Sequence, residues 1–315
     1  MLVRPRHLSP GDTLGIISPA SAAPDWKAVE RAIARLEGLG FRIKLAPHVR
    51  KRNGFLAGTD RERASDLMRM FTDKKVNAVL CVRGGYGTAR LLPKLDYDVI
   101  RANPKIFVGF SDITSLHCAF LMRAKLISFH GPMLVSDFAD ADMPEFTQES
   151  FLETLSGERG DVVDGYAGDT VKTLRRGVAC GQLIGGNLAL LCTLIGTPWQ
   201  PSFKGRILFL EDVGESPYRF DRMLTHLLNA GLLQQLSGIA IGLNADCEDP
   251  KAATAKEYRQ TLDDVLRERL LPLKIPVVSG LPFGHVPQNA TLPVGIKVTL
   301  DATRGRLRAE EPCVV

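Results

Sequence analysis

Residues 105–125 read KIFVGFSDITSLHCAFLMRAK, a strand-like run followed by a helix-like run. Its first five residues, 105–109, are mostly apolar, β-branched or aromatic, which predicts a short buried parallel strand. A helix follows, because Leu116 and Phe120 repeat with helical spacing. Ser111 lies in the turn between the two elements. We therefore expect a strand–turn–helix unit that places the Ser111 hydroxyl above the edge of a sheet, at the N-terminus of a helix.

Ser111 has two interpretations. The surrounding residues, Gly109-Phe110-Ser111-Asp112-Ile113, contain the first glycine of the G-x-S-x-G pattern found around nucleophilic serines, but Ile113 replaces the second glycine. The alternative is an N-cap, because a serine that precedes an apolar helix commonly accepts a hydrogen bond from a helix N–H. This stretch alone does not decide between a nucleophile and a cap.

Strand patterns alternate with helical patterns up to about residue 125. The predicted strands before residue 105 are residues 12–19, 41–45 and 76–82, and a predicted helix covers residues 61–71. The third of these strands, VNAVLCV, is fully apolar, as is typical of a central parallel strand. This alternation predicts an α/β fold with a doubly wound parallel sheet, and we assign residues 1–136 to an N-terminal α/β domain.

The chain becomes polar and irregular after this domain. Residues 137–177 are rich in Asp, Glu and Gly, which is typical of an inter-domain connection. Strands and helices alternate again from residue 178 onward, so we assign residues 178–315 to a C-terminal α/β domain.

Composition excludes several classes of protein. The net charge of +5 is mild and spread along the chain, which gives little support to a nucleic-acid partner. The longest apolar patch is too short to span a membrane, and the first residues lack the apolar core of a signal peptide. The six cysteines form no C-x-x-C pair. We expect a soluble cytoplasmic protein with no disulfide, no metal and no cofactor.

A glycine cluster follows the third strand, in the order Arg83-Gly84-Gly85-Tyr86-Gly87. It lacks the lysine of a P-loop and the spacing of a dinucleotide site. One interpretation is a tight turn onto the next helix. The other is a donor of backbone N–H groups to an oxyanion, because the carboxyl ends of parallel strands meet at one crevice.

Two further side chains follow predicted strands. Glu211 ends the apolar run RILFL, and a buried acid at that point is costly unless it is paired or lies in a site. Glu215 is nearer to Arg219, which offers it a plain ion pair. His285 lies in a rigid turn after a further predicted strand, residues 276–280, and such turns often present catalytic side chains. His130 occupies a similar turn and is the lesser candidate.

The order serine, acid, histidine is the order of the triad in α/β hydrolases. In such a set the histidine takes the serine proton, and the carboxylate fixes the histidine tautomer and stabilises the imidazolium. Ser111, Glu211 and His285 therefore form a predicted triad.

The chain also resembles the LD-carboxypeptidase family of serine peptidases, which includes muramoyltetrapeptide carboxypeptidase and the microcin C self-immunity protein. Matching segments extend over nearly the whole chain in one order: GDTLGIISPAS, LAGTDRERASDL, RGGYGTARLL, VGFSDIT, HGPM, GQLIGGNLALLCTLIGTPW, LFLEDVGESPYRFDRML and GLPFGHVPQNATLPVG. No segment in residues 137–177 matches the family.

The resemblance implies roles for individual residues. Ser111 would be the nucleophile, Glu211 the orienting acid and His285 the general base, while the backbone N–H groups of Gly85 and Asp112 would form the oxyanion hole. The family turn GFSD also lacks the second glycine, so Ile113 is no objection. We further predict that Arg83 and Asn187 bind substrate.

The resemblance also implies an architecture and an activity. The C-terminal domain would be the smaller one, with the active site between the domains, in a cytoplasmic homodimer that needs no metal. The expected reaction is release of the terminal D-alanine from murein tetrapeptides during cell-wall recycling. Two alternatives stay open: a microcin-C-type amidase that acts on aminoacyl-nucleotides, and a non-catalytic two-domain protein that binds a small ligand.

Overall fold

The computed structural model of the protein describes residues 2–158, 160–163, 170–248 and 260–315. These residues form an α/β fold built on two sheets, as the sequence predicts. The strands are β1 (Thr13–Ile17), β2 (Arg42–Leu45), β3 (Ala78–Cys81), β4 (Ile106–Gly109), β5 (Ser128–His130), β6 (Asp161–Val163), β7 (Lys172–Arg175), β8 (Val178–Asn187), β9 (Arg206–Glu211), β10 (Gly238–Leu243), β11 (Val277–Gly284), β12 (Leu292–Val294), β13 (Lys297–Asp301) and β14 (Arg306–Ala309). The helices are α1 (Trp26–Gly38), α2 (Asp60–Thr72), α3 (Tyr97–Ala102), α4 (Thr114–Ala119), α5 (Glu145–Ser156), α6 (Leu188–Thr193), α7 (Pro217–Asn229) and α8 (Leu262–Leu270).

The first sheet has the strand order β12-β5-β4-β3-β1-β2. The pairs from β5 to β2 are all parallel, which confirms the predicted parallel sheet. Its two central strands, β3 and β4, consist entirely of buried residues, because helices and neighbouring structure cover both faces of such a sheet.

The second sheet has the order β6-β14-β13-β8-β9-β10-β11-β7. The four strands β8, β9, β10 and β11 are parallel, and they are flanked by antiparallel strands on both sides. Because β9 and β11 both run parallel to β10, their carboxyl ends lie at the same edge of the sheet. Glu211 is the last residue of β9, and Gly284 is the last of β11.

Strand β12 links the two halves of the chain. It comes from residues 292–294 but pairs antiparallel with β5 of the first sheet, where Leu292 lies opposite His130. Conversely, the predicted connection at residues 137–177 contributes α5 and the strands β6 and β7, both in the second sheet. Residues 159 and 164–169 of that connection lie outside the described residues. The division of the chain at residues 136 and 177 stays a prediction.

None of the helices in the described part of the chain is long and apolar enough to cross a membrane. The core is formed by apolar residues from both sheets and from the helices packed on them.

Candidate active site

The turn after β4 presents Ser111 in a strained backbone conformation. Its φ angle is 63°, in the left-handed region that residues other than glycine rarely adopt. A short 3₁₀ turn, Ser111–Ile113, then leads into α4. The residues before these two elements are Phe110 and Ile113, and neither end has a side-chain cap. Ser111 therefore does not serve as an N-cap, and its strained turn is of the kind that clusters at functional sites.

The glycine cluster packs directly against this turn. A Cβ atom added to Gly84 would lie 2.9 Å from the Cβ of Ser111 and 3.3 Å from the backbone nitrogen of Asp112. Gly85 has a φ angle of 105°, and a Cβ there would lie 2.4 Å from the Ser21 hydroxyl. Gly84 is required because a side chain would collide with the Ser111 turn. Gly85 is required for the same kind of close approach, to Ser21, and for its positive φ angle. The backbone of the glycine cluster therefore lies close to Ser111 and to the backbone nitrogen of Asp112.

Glu211 and His285 meet at the edge of the second sheet. Nδ1 of His285 donates a hydrogen bond of 2.6 Å to Oε2 of Glu211, which is completely buried. A carboxylate only accepts hydrogen bonds, so Nδ1 carries the proton and Nε2 keeps its lone pair. The imidazole is therefore held in the tautomer that a general base requires.

The environment of His285 tunes its acidity. Burial lowers its pKa, but the hydrogen bond and negative charge of Glu211 outweigh burial, with smaller contributions from Asp212 and Asp137. The net pKa lies above the usual value for histidine. The rings of Phe110 and His285 pack edge to face, with 4.9 Å between their centroids, which limits rotation of the imidazole. His285 is thus fixed in position and is stabilised in its protonated form.

Two neighbouring acids, Glu215 and Asp212, interact with groups other than His285. Glu215 forms an ion pair with Arg219 at 3.6 Å, as the sequence suggested. Asp212 is buried and accepts hydrogen bonds from the Asn187 side chain and from the backbone N–H groups of Val213 and Ala189. Burial raises the pKa of Asp212 to about 6. Of these three acids, Glu211 is the one that contacts His285.

A cavity of about 330 Å³ brings the two halves of the site together. Its wall contains Ser111 and Gly85 from the first half of the chain and His285 from the second half. The remaining lining residues are Arg83, Gly84, Phe110, Met133, Ser136, Asp137, Asp140, Met143, Pro144, Val286 and Pro287. A hydroxyl, an imidazole and a glycine backbone at one cavity are groups that acyl transfer can use.

Both halves of the chain match described protein domains. The family described as the LD-carboxypeptidase N-terminal domain matches residues 14–131, and the one described as the LD-carboxypeptidase C-terminal domain matches residues 180–300. The chain belongs to the LD-carboxypeptidase family. Members of this family are peptidases, so the protein is an enzyme of the peptidase class.

Relatives of this chain extend over nearly its full length. A protein of Bacillus subtilis named probable murein peptide carboxypeptidase is 38% identical over 95% of this chain and 91% of its own length. The murein tetrapeptide carboxypeptidase of Pseudomonas aeruginosa is 35% identical, over 93% and 94% respectively. Among solved structures, the microcin C7 self-immunity protein MccF in complex with aspartyl sulfamoyl adenosine superposes with a TM-score of 0.90, at 26% identity over 99% of this chain and 100% of that one.

The predicted substrate-binding residues have different surroundings in this LD-carboxypeptidase. Arg83 lines the cavity, and its guanidinium has no acidic partner in the described part of the chain. Asn187 is buried, caps α6 through a hydrogen bond to the N–H of Leu190, and donates to Asp212. It does not line the cavity. Substrate binding by Asn187 stays a prediction that this geometry does not favour.

Two buried histidines lie behind the Ser111 turn. His117 donates from Nε2 to the carbonyl of Gly109 at 2.7 Å and accepts from Ser128 at Nδ1, so it holds the end of β4 in place. Burial lowers its pKa to about 4. His130 packs among the rings of Phe110 and Phe209, and neither of its nitrogens has a partner among the described residues. Burial also holds its pKa far below the usual value, so it is a neutral packing residue.

Sequence reasoning missed the acidic wall of the cavity. Asp137 and Asp140 belong to a segment assigned to the inter-domain connection, yet both line the cavity. Asp137 is buried in a π-helical turn, Leu134–Phe138, and burial raises its pKa to about 6. π-Helical turns are frequent at functional sites, but five residues with no distinct periodicity leave no signal in a sequence.

Proposed function

We propose that this protein is a serine LD-carboxypeptidase that releases the terminal D-alanine of murein tetrapeptides. The observation that carries the proposal is that Ser111 and His285 line one cavity while Glu211 is hydrogen-bonded to His285. The names of two long, similar relatives, a murein peptide and a murein tetrapeptide carboxypeptidase, support the same substrate.

The proposed reaction begins with proton transfer. Nε2 of His285 removes the proton of Ser111 as Oγ attacks the carbonyl carbon between the diamino acid and D-alanine. Glu211 stabilises the imidazolium that forms. The same proton then passes to the nitrogen of D-alanine as the C–N bond breaks. A water molecule, deprotonated by His285, hydrolyses the acyl-enzyme and regenerates the Ser111 hydroxyl.

The charges of the substrate have proposed partners in the cavity. The backbone N–H groups of Gly85 and Asp112 would donate to the oxyanion, because both loops lie against Ser111. Arg83 would bind the terminal carboxylate of D-alanine, because Arg83 lines the cavity and its guanidinium lacks an acidic partner among the described residues.

A second candidate function is favoured by exposed aromatic residues beside the cavity. Phe55 and Tyr86 contact each other, with ring centroids 5.6 Å apart, and are 64% and 50% exposed. Tyr86 directly follows Gly85 of the cavity wall. Exposed rings next to a site provide stacking surfaces for a nucleobase. The similar MccF structure contains aspartyl sulfamoyl adenosine, so an aminoacyl-nucleotide amidase is the alternative.

Comparing kcat/KM for two substrates distinguishes these functions. The substrates are a murein tetrapeptide, with D-alanine release measured by D-amino-acid oxidase, and an aminoacyl sulfamoyl adenosine, with hydrolysis followed by chromatography. The proposal predicts that the tetrapeptide has at least a tenfold higher kcat/KM. A higher value for the nucleotide would reverse the assignment. No hydrolysis of either substrate would overturn both assignments.

The proposal extends to the state of the protein in the cell. We expect a cytoplasmic homodimer, as the family resemblance implies. Light scattering of the purified protein tests the assembly, and a mass near 34.5 kDa, that of one chain, would contradict it. Cell fractionation tests the compartment.

A further inference from the structure

The two loops that hold the proposed oxyanion donors are joined by a buried bracket. Thr88 and Asp112 are both almost completely buried. The backbone N–H of Thr88 donates to Oδ2 of Asp112 at 2.8 Å, and the Thr88 hydroxyl donates to the backbone carbonyl of Asp112. The bracket therefore ties Asp112, the residue after Ser111, to Thr88 in the segment after Gly85. One hydrogen bond ends on the Asp112 side chain and the other on its backbone.

A buried arginine supports the glycine side of the bracket. Arg63, on α2, is 1% exposed. Its Nη1 donates to the carbonyls of Gly87 and Pro19, and its Nη2 donates to Asp60 at 2.6 Å. The Gly87 carbonyl immediately precedes Thr88. Because the guanidinium presents its donors in a rigid fork, Arg63 fixes the position of this loop relative to α2.

The remaining side of the loop is fixed by Ser21. Its hydroxyl accepts from the N–H of Tyr86 at 3.2 Å, and its own N–H donates to the carbonyl of Gly84 at 3.3 Å. Neither bond reaches the Ser111 turn. The two loops meet at the close approach of Gly84 and at the hydrogen bonds of the bracket, and the backbone of Gly87 also interacts with the Asp112 carboxylate.

We propose that Thr88 and the Asp112 carboxylate are positioning residues that set the spacing of the oxyanion hole. An oxyanion hole works only if its donors are already aimed at the position where charge develops. The proposed donors, Gly85 and Asp112, are on different loops, and a shift of one loop changes their separation. The bracket prevents that shift, so Asp112 contributes through its side chain as well as through its backbone N–H. This inference rests on the proposed function.

The decisive variants remove or keep one hydroxyl. Thr88→Val loses the bond to the Asp112 carbonyl but keeps the branched shape, whereas Thr88→Ser keeps the hydroxyl. We expect Thr88→Val to lower kcat by about tenfold or more, less than the loss of a whole oxyanion donor, with little change in KM. Thr88→Ser restores most of the activity. Thr154→Val is the matched control, because the Thr154 hydroxyl is buried without a partner in the described part of the chain.

A second readout is independent of the natural substrate. A fluorophosphonate reacts with an activated serine: Oγ bonds to phosphorus, fluoride leaves, His285 takes the Ser111 proton, and the phosphoryl oxygen occupies the oxyanion hole. The rate of Ser111 labelling is measured by mass spectrometry. We expect this rate to fall in Thr88→Val in proportion to kcat and to stay near the wild-type rate in Thr88→Ser and Thr154→Val. Asp112→Asn, which retains an acceptor for the Thr88 N–H, is expected to label faster than Asp112→Ala. Circular dichroism confirms that each variant is folded.

The outcomes separate the bracket from the proposed function. Equal labelling of wild type and Thr88→Val, or an equal loss in Thr88→Ser, would each overturn the bracket. An unlabelled wild type would overturn both the role of Ser111 and the bracket that depends on it. If the labelling pattern holds but no D-alanine is released from a murein tetrapeptide, the proposed substrate is wrong while the bracket stands.

Discussion

At the scale of single residues, the hydrogen bond between Glu211 and His285 decides what the imidazole can do. It places the proton on Nδ1 and holds the pKa of His285 above its usual value, even though burial acts in the opposite direction. A general base must be neutral, so activity is expected to fall as the pH drops through this raised pKa.

Replacing Glu211 by Gln tests this role. Loss of the charge lowers the pKa of His285, so the acid limb of the profile of kcat/KM against pH moves to lower pH. The value of kcat falls by about 10³-fold or more, as the imidazole loses its orienting carboxylate. Glu215→Gln is the control. Because Glu215 pairs with Arg219, this substitution is expected to leave kcat and the acid limb unchanged. An unmoved acid limb in Glu211→Gln would show that another group fixes His285.

Arg83 is expected to affect binding rather than chemistry. Loss of a charge-assisted hydrogen bond to the substrate carboxylate in Arg83→Gln raises KM about tenfold or more while kcat changes little. Arg101→Gln on α3 is the matched control, because Arg101 is exposed and does not line the cavity. Steady-state kinetics with a tetrapeptide measures both constants. A fall in kcat with unchanged KM would assign Arg83 to the reaction step instead.

At the scale of elements, the site depends on how closely two strand-end loops approach each other. Gly84 has an ordinary φ angle, so alanine there adds no backbone strain, but its Cβ would lie 2.9 Å from Ser111. We expect Gly84→Ala to displace the Ser111 turn and lower kcat by at least about tenfold, because small misplacements of reacting groups are costly.

A second glycine provides the comparison. An added Cβ at Gly38, at the end of α1, meets no atom within 4 Å. Gly38→Ala is therefore expected to keep full activity and to stabilise the protein by about 0.5–1 kcal/mol, the difference in helix propensity. Thermal unfolding and kinetics measure the two effects. Full activity in Gly84→Ala would mean that the loops do not need this close contact.

The strand-end elements were predictable because their signals are local. The apolar run of β4 followed by Ser111, and the run of β9 ending in Glu211, are continuous in sequence and lie where they were expected. The strand before His285 was predicted to end at residue 280, but β11 continues to Gly284. Gly280, with a φ angle of 79°, lies inside the strand as an irregularity rather than at its end.

At the scale of the whole molecule, the two sheets are tied together by segments distant in sequence. Strand β12 completes the first sheet, and near the C-terminus Val315 exchanges backbone hydrogen bonds with His7 and Pro5. Thr291 and Ser150 add a further buried bond, at 2.9 Å. Since each half of the chain contributes to the packing of the other, the halves are expected to unfold together.

Calorimetry tests this coupling. We expect one cooperative transition for the intact protein, with equal calorimetric and van't Hoff enthalpies per cooperative unit. Two resolved transitions would show that the halves are independently stable.

The same long-range features were not predictable from sequence. Leu292-Pro293-Val294 is too short for a strand pattern, and proline within it argues against one, yet it is tolerated at the sheet edge. Asn187 follows two glycines at a strand end, which suggests a site, but its amide turns inward to Asp212. Such choices depend on partners many residues away, which a local pattern does not contain.

The most direct test of the central claim is D-alanine release from a purified murein tetrapeptide by wild type, Ser111→Ala and Ser115→Ala. Ser115 is a matched control, because it is buried on α4 and its hydroxyl has no partner among the described residues. We predict release by wild type and Ser115→Ala, and a loss of several orders of magnitude in Ser111→Ala with substrate binding retained. Equal release by Ser111→Ala and wild type would contradict the assignment of Ser111 as the nucleophile.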